Sequence, residues 1–195
     1  MKKLILILPI FLLGSSSTLK DVSIDKKIYQ VTYSQSLEQP LSLTYQSTNR
    51  PTNVNRGSMD FYEESGIKTS DGKDYASNIY DKGHLAPAAT FSDNKENLKI
   101  TFSYLNCALQ DQYLNRGEWR LLEEQERKWD DKENLTVKID VLFDKNSKVL
   151  PTGATVPSGF VKHIYFGKQK TWMCFRFPNV KATKPWEEHK VYCKH

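Results

Sequence analysis

Tyr80-Asp81-Lys82-Gly83-His84-Leu85-Ala86-Pro87-Ala88-Ala89 is the stretch around which the rest of the chain arranges itself. A histidine after a glycine says little alone, since most lone histidines are structural or exposed. Downstream, however, stand Asn106, Asn115 and Glu123, the last two eight residues apart in a helix-like segment. A neutral imidazole is the commonest general base near pH 7. An amide oxygen suits a hard cation, and the other two polar groups can support base and cation. Such a set, gathered within about forty residues, points to hydrolysis of a phosphodiester.

The termini and composition bound what surrounds it. Lys2 and Lys3 form a positive start, Leu4 to Leu13 is an apolar run, and Gly14-Ser15-Ser16-Ser17 supplies small residues for cleavage. Residues 1–16 therefore read as a secretory signal peptide. The competing reading, a membrane anchor, needs roughly twenty apolar residues, and Pro9 interrupts this shorter run. No cysteine stands at the cleavage point to carry a lipid. The expected product is a secreted or periplasmic protein with no membrane attachment, residues 17–195 forming one domain. Loss of Lys2 and Lys3 leaves 26 basic against 23 acidic residues, a net charge of +3. That balance permits a polyanionic substrate without demanding one. Of three cysteines, Cys174 and Cys193 are the expected disulfide, tying down the tail, while Cys107 is expected as a small buried apolar residue. No C-x-x-C spacing suggests a metal site.

Taken in order, Ile28, Val31 and Tyr33 hint at a strand, and Leu41 to Tyr45 alternates as a half-buried one. Ser92 to Leu98 fits a short surface helix. Ile100 to Leu105, β-branched and aromatic, predicts a strand that delivers Asn106 at its end. Leu114 to Asp130 is the clearest helix, free of proline and of glycine beyond Gly117. Asn134 to Phe143 alternates with period two, and Phe160 to Phe166 and Thr171 to Phe177 are strands split by a turn at Gly167 to Lys170. Strands around one dominant helix make the class α+β with a mainly antiparallel sheet. Whether the segment from Pro178 joins the core is open.

Projected as a helix, the segment from Leu114 puts Trp119, Leu122 and Trp129 on one apolar arc, with Asn115 inside it and Glu123 at its margin. An amide aimed at a core needs a partner. Asn115 is either an N-cap, with Glu118 as its capping-box partner, or a ligand of Mg²⁺, a cation that keeps most of its waters. Arg56 and Lys82 are the nearest candidates to hold phosphate oxygens.

Asp81-Lys82-Gly83-His84-Leu85-Ala86-Pro87-Ala88 resembles the Asp-Arg-Gly-His signature of the DNA/RNA non-specific endonucleases. Asn106-x-x-x-Gln110, then Leu114-Asn115-x-x-x-Trp119-x-x-Leu122-Glu123, is similar to the second half of that pattern, and Arg56 to Glu64 to the arginine-bearing segment before it. The resemblance implies a ββα-metal finger on a larger sheet. It implies His84 as general base, Asn115 as the protein ligand of one mostly hydrated Mg²⁺ (Mn²⁺ being an alternative), and Asn106 and Glu123 as supports. Arg56 would contact phosphate, the substrates would be DNA and RNA, and the products would carry 5′-phosphate ends. Two positions depart from the pattern. Lys82 replaces an arginine, keeping charge but losing bidentate geometry, and Leu109 replaces a proline. Other classes stay in view: a catalytically weak nucleic-acid-binding protein, a metal-dependent phosphodiesterase on other substrates, and a cell-surface interaction protein, which would leave His84 and Asn115 without a reason.

Overall fold

The computed structural model describes residues 19–51 and 54–193, so the expected signal peptide lies outside the described residues. A seven-stranded antiparallel sheet runs in the order β1 (Val22–Asp25), β2 (Tyr29–Ser34), β3 (Gln39–Ser47), β6 (Leu135–Leu142), β7 (Gly159–Phe166), β8 (Thr171–Pro178) and β9 (Lys190–Val191). A separate antiparallel pair joins β4 (Tyr80–His84) to β5 (Cys107–Asp111). The α+β class with a mainly antiparallel sheet is the observed one. Among the described residues no helix is long and apolar enough to cross a membrane.

Alternation builds the sheet's inner face. On β6, Leu135, Val137, Ile139 and Val141 are buried, while Thr136, Lys138 and Asp140 point the other way. On β7, Phe160, Ile164 and Phe166 face inward, and so does Lys162, with no exposed surface. The principal helix lies on this face in three consecutive pieces: α2 (Gln112–Leu114), a π-helical turn (Asn115–Trp119) and α3 (Arg120–Asp130). Trp119 meets Phe160 and Phe177 with ring centroids 5.4 and 5.7 Å apart, and Trp129 meets Phe166 at 5.3 Å. Leu122 is fully buried between those contacts.

Two sequence expectations are corrected. Ile100 to Leu105 is not a strand: Ile100 and Thr101 end helix α1 (Lys95–Thr101), and Tyr104 to Asn106 form a 3₁₀ turn. The Asn94 side chain accepts from Asn97 N at 2.9 Å and starts the helix, and burial of Leu98 and Thr101 on one side holds it. A cap and a helical burial pattern thus override β-propensity. The strand begins one residue after Asn106. The second correction concerns the cap of the principal helix. Asp111 fills that role, its Oδ1 accepting from Tyr113 N at 2.9 Å and Leu114 N at 3.1 Å. Glu118 instead accepts from Trp186 N at 2.7 Å, so no capping box forms with Asn115.

That bond anchors the tail, which belongs to the core. Trp186 packs edge-on to Trp129 and Phe175, and His189 stacks on Phe177 at 4.3 Å. The Cys174–Cys193 disulfide closes the segment, with Cα atoms 5.4 Å apart and a sequence separation of 19. Cys107 is free and buried. Closing a loop of this length stabilises by about 3 kcal/mol in the chain-entropy account. Urea denaturation of a Cys193→Ser variant should show a loss of that size. Thiol labelling of the parent should find one cysteine, and only after unfolding; three labelled thiols without reductant would contradict the bridge.

Candidate active site

Strands β4 and β5 followed by the helix form a ββα unit, and its geometry begins at Gly83. Gly83 pairs with Ala108 across the hairpin, and a Cβ at this position would stand 2.6 Å from the Cβ of Gln110, itself fully buried. Glycine here serves close packing of the hairpin. Forcing a methyl into such a contact costs typically 1–3 kcal/mol, so Gly83→Ala should lower the urea midpoint even though Gly83 touches no substrate.

The hairpin meets the helix through Asp81. Asp81 Oδ2 accepts from Asn115 Nδ2 at 2.9 Å and from Arg116 Nε at 2.8 Å, while Oδ1 accepts from Arg116 Nη2 at 2.6 Å. Burial works against the Asp81 charge, but the bonds from Arg116 and Asn115 win and hold its carboxyl below the usual range. An ionised carboxylate only accepts, so the amide nitrogen of Asn115 must face it and the amide oxygen must face away. No described residue donates to that oxygen. It lines a cavity of about 390 Å³ together with His84, Pro87, Arg116, Arg120, Glu123 and Arg127.

The π turn decides which helical residues share this cavity. On a regular helix, Glu123 would sit about 80° and Arg127 about 120° around from Asn115. A π turn absorbs about one extra residue, which brings both to within about 20° of Asn115. Gly117 provides the break, with φ −105° and ψ −116°. Arg127 was not singled out by sequence reasoning; its place four residues beyond Glu123 is the signal that marks it.

His84 closes the opposite wall. Its ring lies 4.8 Å from that of Phe61 and 5.1 Å from that of Phe102, and its Nε2 is buried with no hydrogen-bond partner among the described residues. Burial, aided by the Arg56 guanidinium, pushes its pKa down to about 4. The imidazole is therefore neutral at pH 7. Glu123 behaves in the opposite sense: burial pushes its carboxyl up to about 7, opposed by Lys162. Glu123 Oε1 and Arg127 Nη1 are likewise buried without hydrogen-bond partners. The residues that carry these unmatched atoms line the cavity with Asn115, and the Asn115 amide oxygen, with the Glu123 carboxylate nearby and room for water, suits a hard, hydrated cation.

The remaining expected residues sit elsewhere. Asn106 is fully buried behind the wall: Oδ1 accepts from Ala86 N at 2.7 Å, and Nδ2 donates to Ala86 O at 2.9 Å and Thr101 O at 2.8 Å. With both amide hydrogens engaged, it fixes the backbone just after His84. Lys82 does not line the cavity. Its ammonium donates to Asp60 at 3.2 Å and lies over Phe61 and Tyr104. Arg56, half exposed, lies over the Phe102 ring at 4.8 Å and is not among the residues that line the cavity. The guanidinium groups that line the cavity come from the helix.

The chain and its fold have counterparts among known proteins. A family model described as DNA/RNA non-specific endonuclease matches residues 9–195, and the chain belongs to that family. Over 76 residues it is 34% identical to the mitochondrial endonuclease G of Bos taurus, a match covering 37% of this chain and 25% of that protein. A chain of the EndoG/EndoGI complex, a crystal structure, superposes with a TM-score of 0.78 at 22% identity, covering 87% of this chain and 80% of that one. At that identity the likeness concerns the fold.

The depressed pKa of His84 has a sign that stability can read. A base depressed from 6.5 to about 4 on folding contributes stability that is complete above pH 6.5 and lost as pH falls toward 4. The ring is still partly open, so the amount is on the order of 2 kcal/mol. His84→Gln should therefore lose less stability than the parent between pH 6.5 and pH 4, as measured by urea denaturation.

Proposed function

We propose that the protein is an endonuclease that hydrolyses phosphodiester bonds in both DNA and RNA, using His84 as general base and one Mg²⁺ at Asn115. The observation that carries this is the neutral imidazole of His84, its Nε2 without a hydrogen-bond partner, lining the same cavity as Asn115, whose amide oxygen receives no hydrogen bond. Asn115 would hold the cation directly, Mn²⁺ being an acceptable substitute on the same oxygen, with Glu123 accepting from its waters. When bound, a divalent cation supplies Lewis-acid stabilisation of charge on the phosphoryl and leaving oxygens. Everything else falls to the chain's own residues. His84 Nε2 takes the proton of the attacking water as its oxygen bonds to phosphorus. The bond from phosphorus to O3′ breaks, the departing oxygen takes a proton from solvent, and the product keeps a 5′-phosphate. Arg127, with Arg116 and Arg120 at the rim, offers donors to the phosphate oxygens, and Arg56 to the strand beyond His84. None of these groups reads a base edge, so unrelated sequences are cut alike.

The proposal extends to location: the protein works outside the cytoplasm, secreted or periplasmic. The apolar start at Leu4 to Leu13 and the Cys174–Cys193 bridge both favour an oxidising compartment.

Incubation with plasmid DNA and with RNA should give cleavage of both, abolished by EDTA. His84→Ala should cut on the order of 10² to 10⁴ times more slowly while still binding nucleic acid and metal, with residual cleavage rising with pH. Asn115→Ala should lose cleavage and regain part of it at raised Mg²⁺. Tight binding without cleavage would favour the catalytically weak binder, and a folded His84→Ala protein cutting at the parent's rate would end the mechanism.

A further inference from the structure

The hydrolysis described above leaves one charged group of the core without a part. Lys162 stands on β7 between inward-facing Phe160 and Ile164 and has no exposed surface. Its Nζ donates to Glu126 Oε1 at 2.6 Å, lies 3.9 Å from Glu123 Oε1, and sits 4.4 Å from the centre of the Trp119 ring. Glu126 is also fully buried, and its Oε2 accepts from the Tyr45 hydroxyl at 2.5 Å. A continuous polar chain thus runs from β3 through α3 and β7 to Glu123, whose other side lines the cavity. Burying an ammonium and a carboxylate costs several kcal/mol per ion, and apolar replacements of such pairs are often neutral or stabilising. Packing alone gives no reason for a lysine on this face.

We propose that Lys162 is a positioning residue for the hydrolysis, its ammonium keeping the Glu123 carboxylate charged and turned toward the cavity while Glu126 and Tyr45 hold the ammonium in place. This rests on the part given to Glu123 in the proposed function. Glu123 Oε1 is buried, and the Lys162 ammonium is the largest of the groups that compensate its charge, with Arg127 and the Trp119 ring N–H adding less. The charged and titratable groups around Glu123 are Lys162 from β7, Glu126 and Arg127 from its own helix, Tyr45 behind Glu126, and His84, Arg116 and Arg120 around the cavity. Burial acts most strongly on the Glu123 carboxyl, Lys162 opposes it, and Glu126 adds to it. Removing Lys162 and removing the Glu126 charge alone should therefore act in opposite directions.

Two variants of the full chain test this. Lys162→Met combined with Glu126→Gln removes both charges, keeps side-chain length and leaves Tyr45 an acceptor. Glu126→Gln alone frees Lys162 to act on Glu123. The readouts are the Glu123 carboxyl titration, followed by ¹³C NMR in metal-free protein, and the pH dependence of kcat/KM on nucleic acid. Compared with Glu126→Gln, the double variant, which differs from it only by the loss of the Lys162 charge, should have both moved up by about one pH unit, making cleavage on the acid limb about tenfold slower with KM unchanged. In Glu126→Gln both should move down. A folded double variant whose titration and acid limb coincide with those of Glu126→Gln overturns the proposal, as does an upward move in Glu126→Gln. If the double variant does not fold, Glu126→Gln decides alone: a downward move supports the proposal and no move overturns it. Glu123→Gln separates the two levels. Cleavage at the parent's rate would remove Glu123 from the proposed function, whereas the titration result on Lys162 stands or falls by itself.

Discussion

The Asp81 carboxylate is the constraint on which the candidate site depends. It belongs to the hairpin and is gripped by two neighbouring residues of the helix, Asn115 and Arg116. A carboxylate has four acceptor directions and no donor when ionised, so what it fixes is a choice between the two ends of an amide. With the nitrogen taken, the oxygen of Asn115 is left facing the cavity. The bidentate Arg116 fork adds a second, geometrically demanding contact that holds the helix in register with the strand. Strand and helix otherwise have little in common at this point, and the base and the amide oxygen stand on different sides of that junction.

Much of this was legible in the residues. Period-two alternation at Leu135 to Val141 identified one central strand, because one face of an antiparallel sheet is buried and the other is not, and the turn at Gly167 to Lys170 separated the next two. The apolar arc of Trp119, Leu122 and Trp129 located the helix face that meets them. His84, Asn115 and Glu123, singled out by residue type and then by the family resemblance, line one cavity. What was missed depends on geometry that no local pattern encodes. Gly117 drew no separate reading inside the predicted helix, yet it sits in a π turn that changes the angular relation of everything after it. Lys82 looked like a phosphate contact, but its partner Asp60 lies 22 positions earlier in the chain. Ile100 to Leu105 had strand chemistry and helical surroundings, and tertiary burial won.

The core itself has one face that departs from simple oil. Lys162, Glu126 and Tyr45 satisfy one another at short distances inside an otherwise aromatic and aliphatic layer. Such a network specifies a single packing, because any slip of the helix would strand a charge. It also lies directly beneath Glu123, so packing specificity and the electrostatics of the cavity are set by the same three side chains.

The tail has a consequence for colloidal behaviour. Strand β8 is the sheet's last long strand, and Lys190–Val191 covers the middle of its outer edge by pairing with Cys174 and Phe175. A two-residue strand holds poorly by itself, and here it is kept in place by the covalent link two residues further on, at Cys193. The bridge therefore acts as a latch on a sheet edge. With the latch open, the row of unpaired amides along Thr171–Pro178 becomes a template for a neighbouring molecule. Self-association, rather than loss of cleavage, is then the first penalty of a reducing environment.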